Sequence, residues 1–243
     1  MRNWDAALKE HKQALLNQGF KEENILGIFC YGSQNYNLDT ETSDWDTKAI
    51  VIPSFEALIL ERPVALDIKV NDEEHCEIKD IREMVNMFKK QNINFIEILY
   101  TKYNWVNPYY MELWNEYFIS HREEIAHFDE QKTVLSIIGQ AIHTLGQNIY
   151  NGKKVANGYR LYIFLQKYLA HKPYEECITL NGDIREFLLE LKRHNHVPRY
   201  HCTFLDAALQ DLREQDRMYI NNFTVEKVME DGMIELIKLN VPK

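Results

Sequence analysis

Two short apolar runs lie early in the chain: Ile25-Leu26-Gly27-Ile28-Phe29-Cys30-Tyr31, ended by Gly32, and Asp46-Thr47-Lys48-Ala49-Ile50-Val51-Ile52, stopped by Pro53. Both carry branched or aromatic residues between turn formers, so both are expected to be buried strands. The segment 34–43 between them is rich in Asn, Asp, Thr and Ser, which predicts a short helix and a loop rather than more sheet. Leu66-Asp67-Ile68 and Cys76-Glu77-Ile78 read as two further strand centres, the second running into a helix that starts near Asp80. After about residue 107 the period of the apolar positions changes from two towards 3.6. Helices are expected over 109–120, 131–150, 156–171, 184–194, 203–219 and 225–239, punctuated by Asn151-Gly152, Asn157-Gly158, Pro173, Asn181-Gly182 and Pro198. The expected fold class is α+β, an α/β unit over 1–107 followed by an all-helical unit over 108–243, with no internal repeat.

Chemistry gathers where the first run ends. Gly32-Ser33 leaves a buried strand at what reads as the opening of a helix, offering backbone N–H groups and a hydroxyl to phosphate oxygens. Asp44 stands eleven residues after Ser33, and Asp46 two residues further on opens the second strand. Carboxylates at i and i+2 of a strand point to one face, as two ligands of one magnesium site must. Lys48 either steers phosphate or blunts a solvated sheet edge. Tyr31 and Tyr36 read as core or wall residues. Glu97, among Phe95, Ile96, Ile98 and Leu99, reads as a structural hydrogen-bonding group rather than a catalytic one.

This arrangement resembles the nucleotidyltransferase superfamily typified by DNA polymerase β, whose motif joins h-G-[GS] through a spacer to [DE]-h-[DE]-h. More narrowly it is similar to a bacterial and phage group of nucleotidyltransferases with the wording G-S-x-x-Y-x-L-x-T-x-x-S-D-x-D-x-[RK]. That wording is met by Gly32, Ser33, Tyr36, Leu38, Thr40, Ser43, Asp44, Asp46 and Lys48. The group's second segment, L-R-K-F followed by N-P-N-x-x-E-L-L, is matched from Ile81-Arg82-Glu83-Met84 through Asn92-Ile93-Asn94-Phe95-Ile96-Glu97-Ile98-Leu99, with Ile93 where proline is usual. The likeness is strong over residues 25–100 and weak beyond.

The resemblance implies a polymerase β-like domain that moves an NMP from an NTP, ATP among them, to an acceptor hydroxyl and releases pyrophosphate. It also implies two Mg²⁺ ions, with Mn²⁺ able to substitute, held by Asp44, Asp46 and a third carboxylate on a later strand. Two residues compete for that place: Glu77, preferred because its strand enters the helix at Ile81-Arg82, and Asp67 one strand earlier. Gly32, Ser33 and Lys48 would hold the triphosphate. In the helical half, Lys153-Lys154, placed before a helix carrying Tyr159, Arg160 and Lys167, would add phosphate or acceptor contacts, with a solvated helix face as the plainer reading. The group often has histidine where this chain has Asn157 or Gly158.

Composition narrows partners more than fold. With 243 residues, 45% of them apolar, the chain can build real cores. A formal net charge of −9 excludes nucleic-acid binding over the whole surface but not a local basic groove. Two patches, Lys192-Arg193-His194-Asn195-His196 and Arg199-Tyr200-His201-Cys202, tilt the expected acceptor towards RNA, including tRNA; a protein hydroxyl or a small molecule such as an aminoglycoside stays open. The His194, His196, His201 and Cys202 spacing is not a common zinc framework. Cys30, Cys76, Cys177 and Cys202 are scattered, which suits a reducing cytoplasm. The N-terminus leads into an amphipathic helix rather than a signal segment, and no run approaches the roughly 18 apolar residues that span a bilayer, so no membrane partner is expected. The competing function class is a catalytically silent nucleotide-binding or protein-interaction module of the same fold. Two adjacent negative charges on one strand face, which such a module does not need, favour the enzyme. No motif sets the choice of base or the oligomeric state.

Overall fold

The computed structural model of the protein describes residues 3–146, 151–214 and 222–240. The chain starts with helix α1 (Trp4–Asn17), whose N-cap Asn3 accepts from the Ala6 amide. Strands β1 (Ile25–Cys30) and β2 (Thr47–Val51), helix α2 (Phe55–Ile59), and strands β3 (Ala65–Lys69) and β4 (His75–Asp80) follow. Helices α3 (Ile81–Lys89) and α4 (Ile93–Ile96) lead to strand β5 (Asn104–Val106). Beyond it every regular element among the described residues is helical: α5 (Met111–Trp114) running into a π-helical turn (Asn115–Ile119), α6 (Arg122–Ala126), α7 (Glu130–Leu145), α8 (Gly152–Leu169), α9 (Tyr174–Ile178), α10 (Gly182–Arg193), α11 (Tyr200–Glu214) and α12 (Phe223–Asn240). The fold is α+β. No described helix is long and apolar enough to cross a membrane.

The sheet order is β3-β4-β2-β1-β5, with β2 and β4 parallel and the other neighbours antiparallel. Alternation along the strands divides the apolar residues between two faces. Ile28, Ala49, Cys76 and Ile78 pack with Leu15 of α1, whereas Leu26, Phe29 and Ile50 join Phe88 of α3. That second core continues without a break into the helical half, through Trp114, Phe164, Leu205 and Leu236. Burying each such side chain stabilises the fold by about 1.5–3 kcal/mol, so the helices after residue 107 are held chiefly by the sheet and by one another.

Three local expectations are corrected. No helix forms over 34–43. The Asn35 amide donates to the Gly32 carbonyl, and the Tyr36 and Leu38 amides both turn back on Ser33, while Asn37 takes φ 60°, which ends any helical path. The predicted break at Asn157-Gly158 lies inside α8, which starts at Gly152, so Lys153 and Lys154 form its first turn instead of preceding it. Gly158 serves helix packing: a Cβ there would come within 3.0 Å of Leu205 and 3.2 Å of Leu145, so its absence lets α8 lie close to α7 and α11. The 109–120 helix is divided at the π-helical turn. The ends predicted at 147–150 and 215–219 lie outside the described residues.

Candidate active site

A cleft of about 980 Å³ opens where β1 and β2 meet the helical half. Its first wall is the turn after β1. Gly32 sits at φ +88°, a conformation open to glycine, and Ser33 follows it at the cleft. Asn35 bonds the Cys30 carbonyl through its side chain and so ties the turn to the end of β1. The Gly32 amide does not point to the cleft as expected; it donates to Glu97 Oε1 at 3.3 Å. Ser33 remains as a hydroxyl on the wall.

The second wall is the acidic loop before β2. Trp45 is buried against Trp4 and Tyr103, and its amide donates to Glu74 Oε1. Glu74 is in turn fixed by Asn71 and by His11 of α1, whose other ring nitrogen meets the Thr47 hydroxyl at 2.7 Å. With Trp45 anchored inwards, its neighbours Asp44 and Asp46 both line the cleft. Asp46 Oδ1 accepts from the His75 amide at 2.9 Å. Burial pushes the Asp46 carboxyl above its usual range; the His75 amide opposes that shift and the Asp44 charge adds to it.

The third wall is cationic and comes from helices far along the chain. Lys153, Lys154 and Arg160 of α8 and Lys192 and Arg193 of α10 all line the cleft. Asn151 caps α8 by accepting from the Lys153 amide at 2.8 Å. Arg160 is 5% exposed, lies 3.9 Å from the Tyr36 ring centre and donates Nε to Asn157 Oδ1, but its Nη1 is buried without a hydrogen-bond partner. Lys192 donates to the Leu38 carbonyl at 2.6 Å. Its ammonium is held below the ordinary lysine range by burial and then by Lys153, with Asp39 and Asp44 opposing. Lys192 as a wall of this cleft was missed in the sequence, as were Asn94 and Gln140, whose amides bond each other at its rim. Only the tertiary fold brings α7 and α10 to the turn after β1.

The remaining site residues stand apart from the cleft lining. Lys48 is not a solvated edge residue: β2 lies between β4 and β1, and Lys48 is 2% exposed. Register places it beside Glu77, which takes its ammonium in an ion pair and has Lys79 at 3.6 Å on its other oxygen. Asp67 lies across from Glu77 on β3, exposed, with His75 at 3.6 Å. Among the described residues no three His, Cys, Asp or Glu side chains gather as a ligand group. In the histidine patch, His201 Nδ1 meets the Tyr159 hydroxyl and His194 meets Glu190.

Beneath the turn, Glu97 is fully buried and its Oε2 has no hydrogen-bond partner. Burial raises its pKa to about 7, against the pull of Tyr36, Arg160, Lys48 and the Gly32 amide. A group whose pKa is raised on folding favours the folded state at low pH and loses that contribution as pH rises, here through the window from 4.5 to about 7. Glu97→Gln is therefore expected to flatten the fall in melting temperature across that window, read by thermal melts in a pH series.

Compared with models of protein families and with curated proteins, the chain matches none.

Proposed function

We propose that the protein is a polymerase β-like nucleotidyltransferase that moves an NMP from an NTP to an acceptor hydroxyl. One observation carries this reading: a carboxylate pair, a glycine–serine turn and a set of Lys and Arg side chains from α8 and α10 line the same cleft. A metal-bound triphosphate needs all three. Asp44 and Asp46 supply hard oxygen donors of the kind Mg²⁺ or Mn²⁺ prefers, so the residues present fit the ions. Ions bound there would neutralise polyphosphate charge and lower the pKa of the acceptor hydroxyl.

The chain's own groups do the positioning, which supplies most of the leverage in phosphoryl transfer. Ser33 offers a hydroxyl to the outer phosphates. Arg160, Lys153, Lys154 and Lys192 line the cleft and give it a positive field. In the reaction the acceptor oxygen bonds to the α-phosphorus as the α–β bridge breaks and pyrophosphate leaves. RNA is the acceptor this surface suits best. Lys192 and Arg193 of α10 line the cleft, and outside its lining α10 and α11 expose the Phe187, Tyr200 and Phe204 rings, faces of the kind on which bases stack.

The second reading, nucleotide binding without transfer, is favoured by the Glu77 carboxylate, which is occupied by Lys48 and Lys79. The two are separated by incubating wild type and Asp46→Asn with each α-³²P-labelled NTP, Mg²⁺ or Mn²⁺, RNA and cell lysate. Label moving into RNA, protein or a small molecule with wild type alone supports transfer and names the acceptor class. Stabilisation by Mg²⁺ plus NTP with no label moved supports the binding module.

A further inference from the structure

Three polar atoms with no hydrogen-bond partner lie buried in one region under the cleft: Glu97 Oε2, Arg160 Nη1 and the Tyr174 hydroxyl. Leaving such groups unsatisfied costs about 1–3 kcal/mol each, more when charged, so their persistence calls for a reason. Tyr36 connects them. Its ring carries the Arg160 guanidinium at 3.9 Å, it lines the cleft beside Arg160, and its hydroxyl shares the field of Glu97. Glu97 in turn reaches the cleft wall through the Gly32 amide. The titratable and charged groups that share the field of its carboxyl are Cys30 at the end of β1 and Tyr31 just after it, Tyr36 from the turn, Lys48 from β2, Arg160 from α8 and Tyr174 from α9.

We propose that Glu97 is a positioning residue of this site, setting the Gly32-Ser33 turn through the Gly32 amide and taking up a proton when a nucleoside triphosphate pairs with Arg160. The inference rests on the nucleotide reading given above. Arg160 is one of the charges that keep the buried carboxyl ionised. An anion in the cleft beside the Arg160 guanidinium cancels much of that influence, and the carboxyl, with one oxygen already lacking a donor, binds a proton from solvent. Protonated Glu97 is a weaker acceptor for the Gly32 amide, which is thereby freed towards the phosphates. The turn thus has one arrangement when the cleft is empty and another when it is filled.

The test is calorimetric titration of ATP with saturating Mg²⁺ at about pH 7.5 in two buffers of different ionisation heat. Wild type is expected to take up roughly half a proton per nucleotide bound, and Glu97→Gln to bind with none. Tyr36→Phe keeps the ring under Arg160 but removes a group that holds Glu97 ionised, so the pH of greatest uptake should move up. This second variant decides the matter if Glu97→Gln does not fold. Binding by wild type without buffer dependence, or uptake retained in Glu97→Gln, overturns the role of Glu97 and leaves nucleotide binding standing. No binding by folded wild type overturns the nucleotide reading, and this inference with it.

Discussion

Asp46→Asn is expected to lower nucleotidyl transfer by a factor on the order of 10² to 10³ or more, the scale of losing one charge-stabilising group, while the protein stays folded. The substitution is isosteric, and the Asn carbonyl can still accept from the His75 amide that now bonds Asp46 Oδ1. Folding already pushes the Asp46 carboxyl upwards, chiefly by burial and also through Asp44. Such a group opposes folding once pH rises through its folded pKa, so removing its charge at pH 7 should leave the melting temperature unchanged or raise it. Asp44→Asn serves as the companion. Unchanged transfer in either variant would remove that carboxylate from the mechanism; a large drop in melting temperature would mean that its role is structural.

The largest effect on stability is expected at Gly152. Its amide donates to the His194 carbonyl at 3.0 Å, so the first residue of α8 lies directly on the end of α10. A Cβ there would sit 1.8 Å from the Leu191 carbonyl oxygen and 2.5 Å from that of His194. These neighbours are backbone and cannot swing aside, so Gly152→Ala should cost about 3 kcal/mol or more in a urea titration. The same change pushes Lys153 and Lys154 away from Lys192, so any folded fraction should bind nucleotide more weakly. Gly139→Ala, within α7 where nothing approaches the added methyl, is the contrasting control and should stabilise by about 0.5–1 kcal/mol. Equal stability of the two variants would refute the close contact at Gly152.

Much of the frame was legible because it depends on local pattern. The apolar run before Gly32 marks β1, Asp80 reads as the start of the next helix, and it does cap α3. The long helices α7, α8, α10, α11 and α12 follow from their 3.6 period, whereas the five-residue α6 and α9 are too short to show one, and the acid pair and the Lys153, Lys154 and Arg160 set were visible as chemistry. The rest depends on contacts distant in sequence. A glycine after an asparagine reads as a turn, yet Gly158 is there for the side chains of Leu205 and Leu145. Lys48 looks like an edge residue until Glu77, from a strand nearly thirty residues later, takes its charge. Strand β5 has three residues, too few for a period to show. The inward aim of the Gly32 amide depends on Glu97, which the sequence marked as a hydrogen-bonding group but could not place.

The turn after β1 is also tied to α10 and to Leu180 in the connection before it. The Tyr36 carbonyl accepts from the Leu180 amide, that of Asn37 from Arg185 and that of Leu38 from Lys192, while the Asn37 side chain donates back to the Leu180 carbonyl. A hinge for opening the cleft therefore cannot run between this turn and residues 180–192 without breaking all of these bonds at once. Those two walls travel together, and α10 can be altered by substitution to reshape the glycine–serine loop without any change in the first hundred residues. Exchanging the helical half between related chains would transfer a loop geometry along with it.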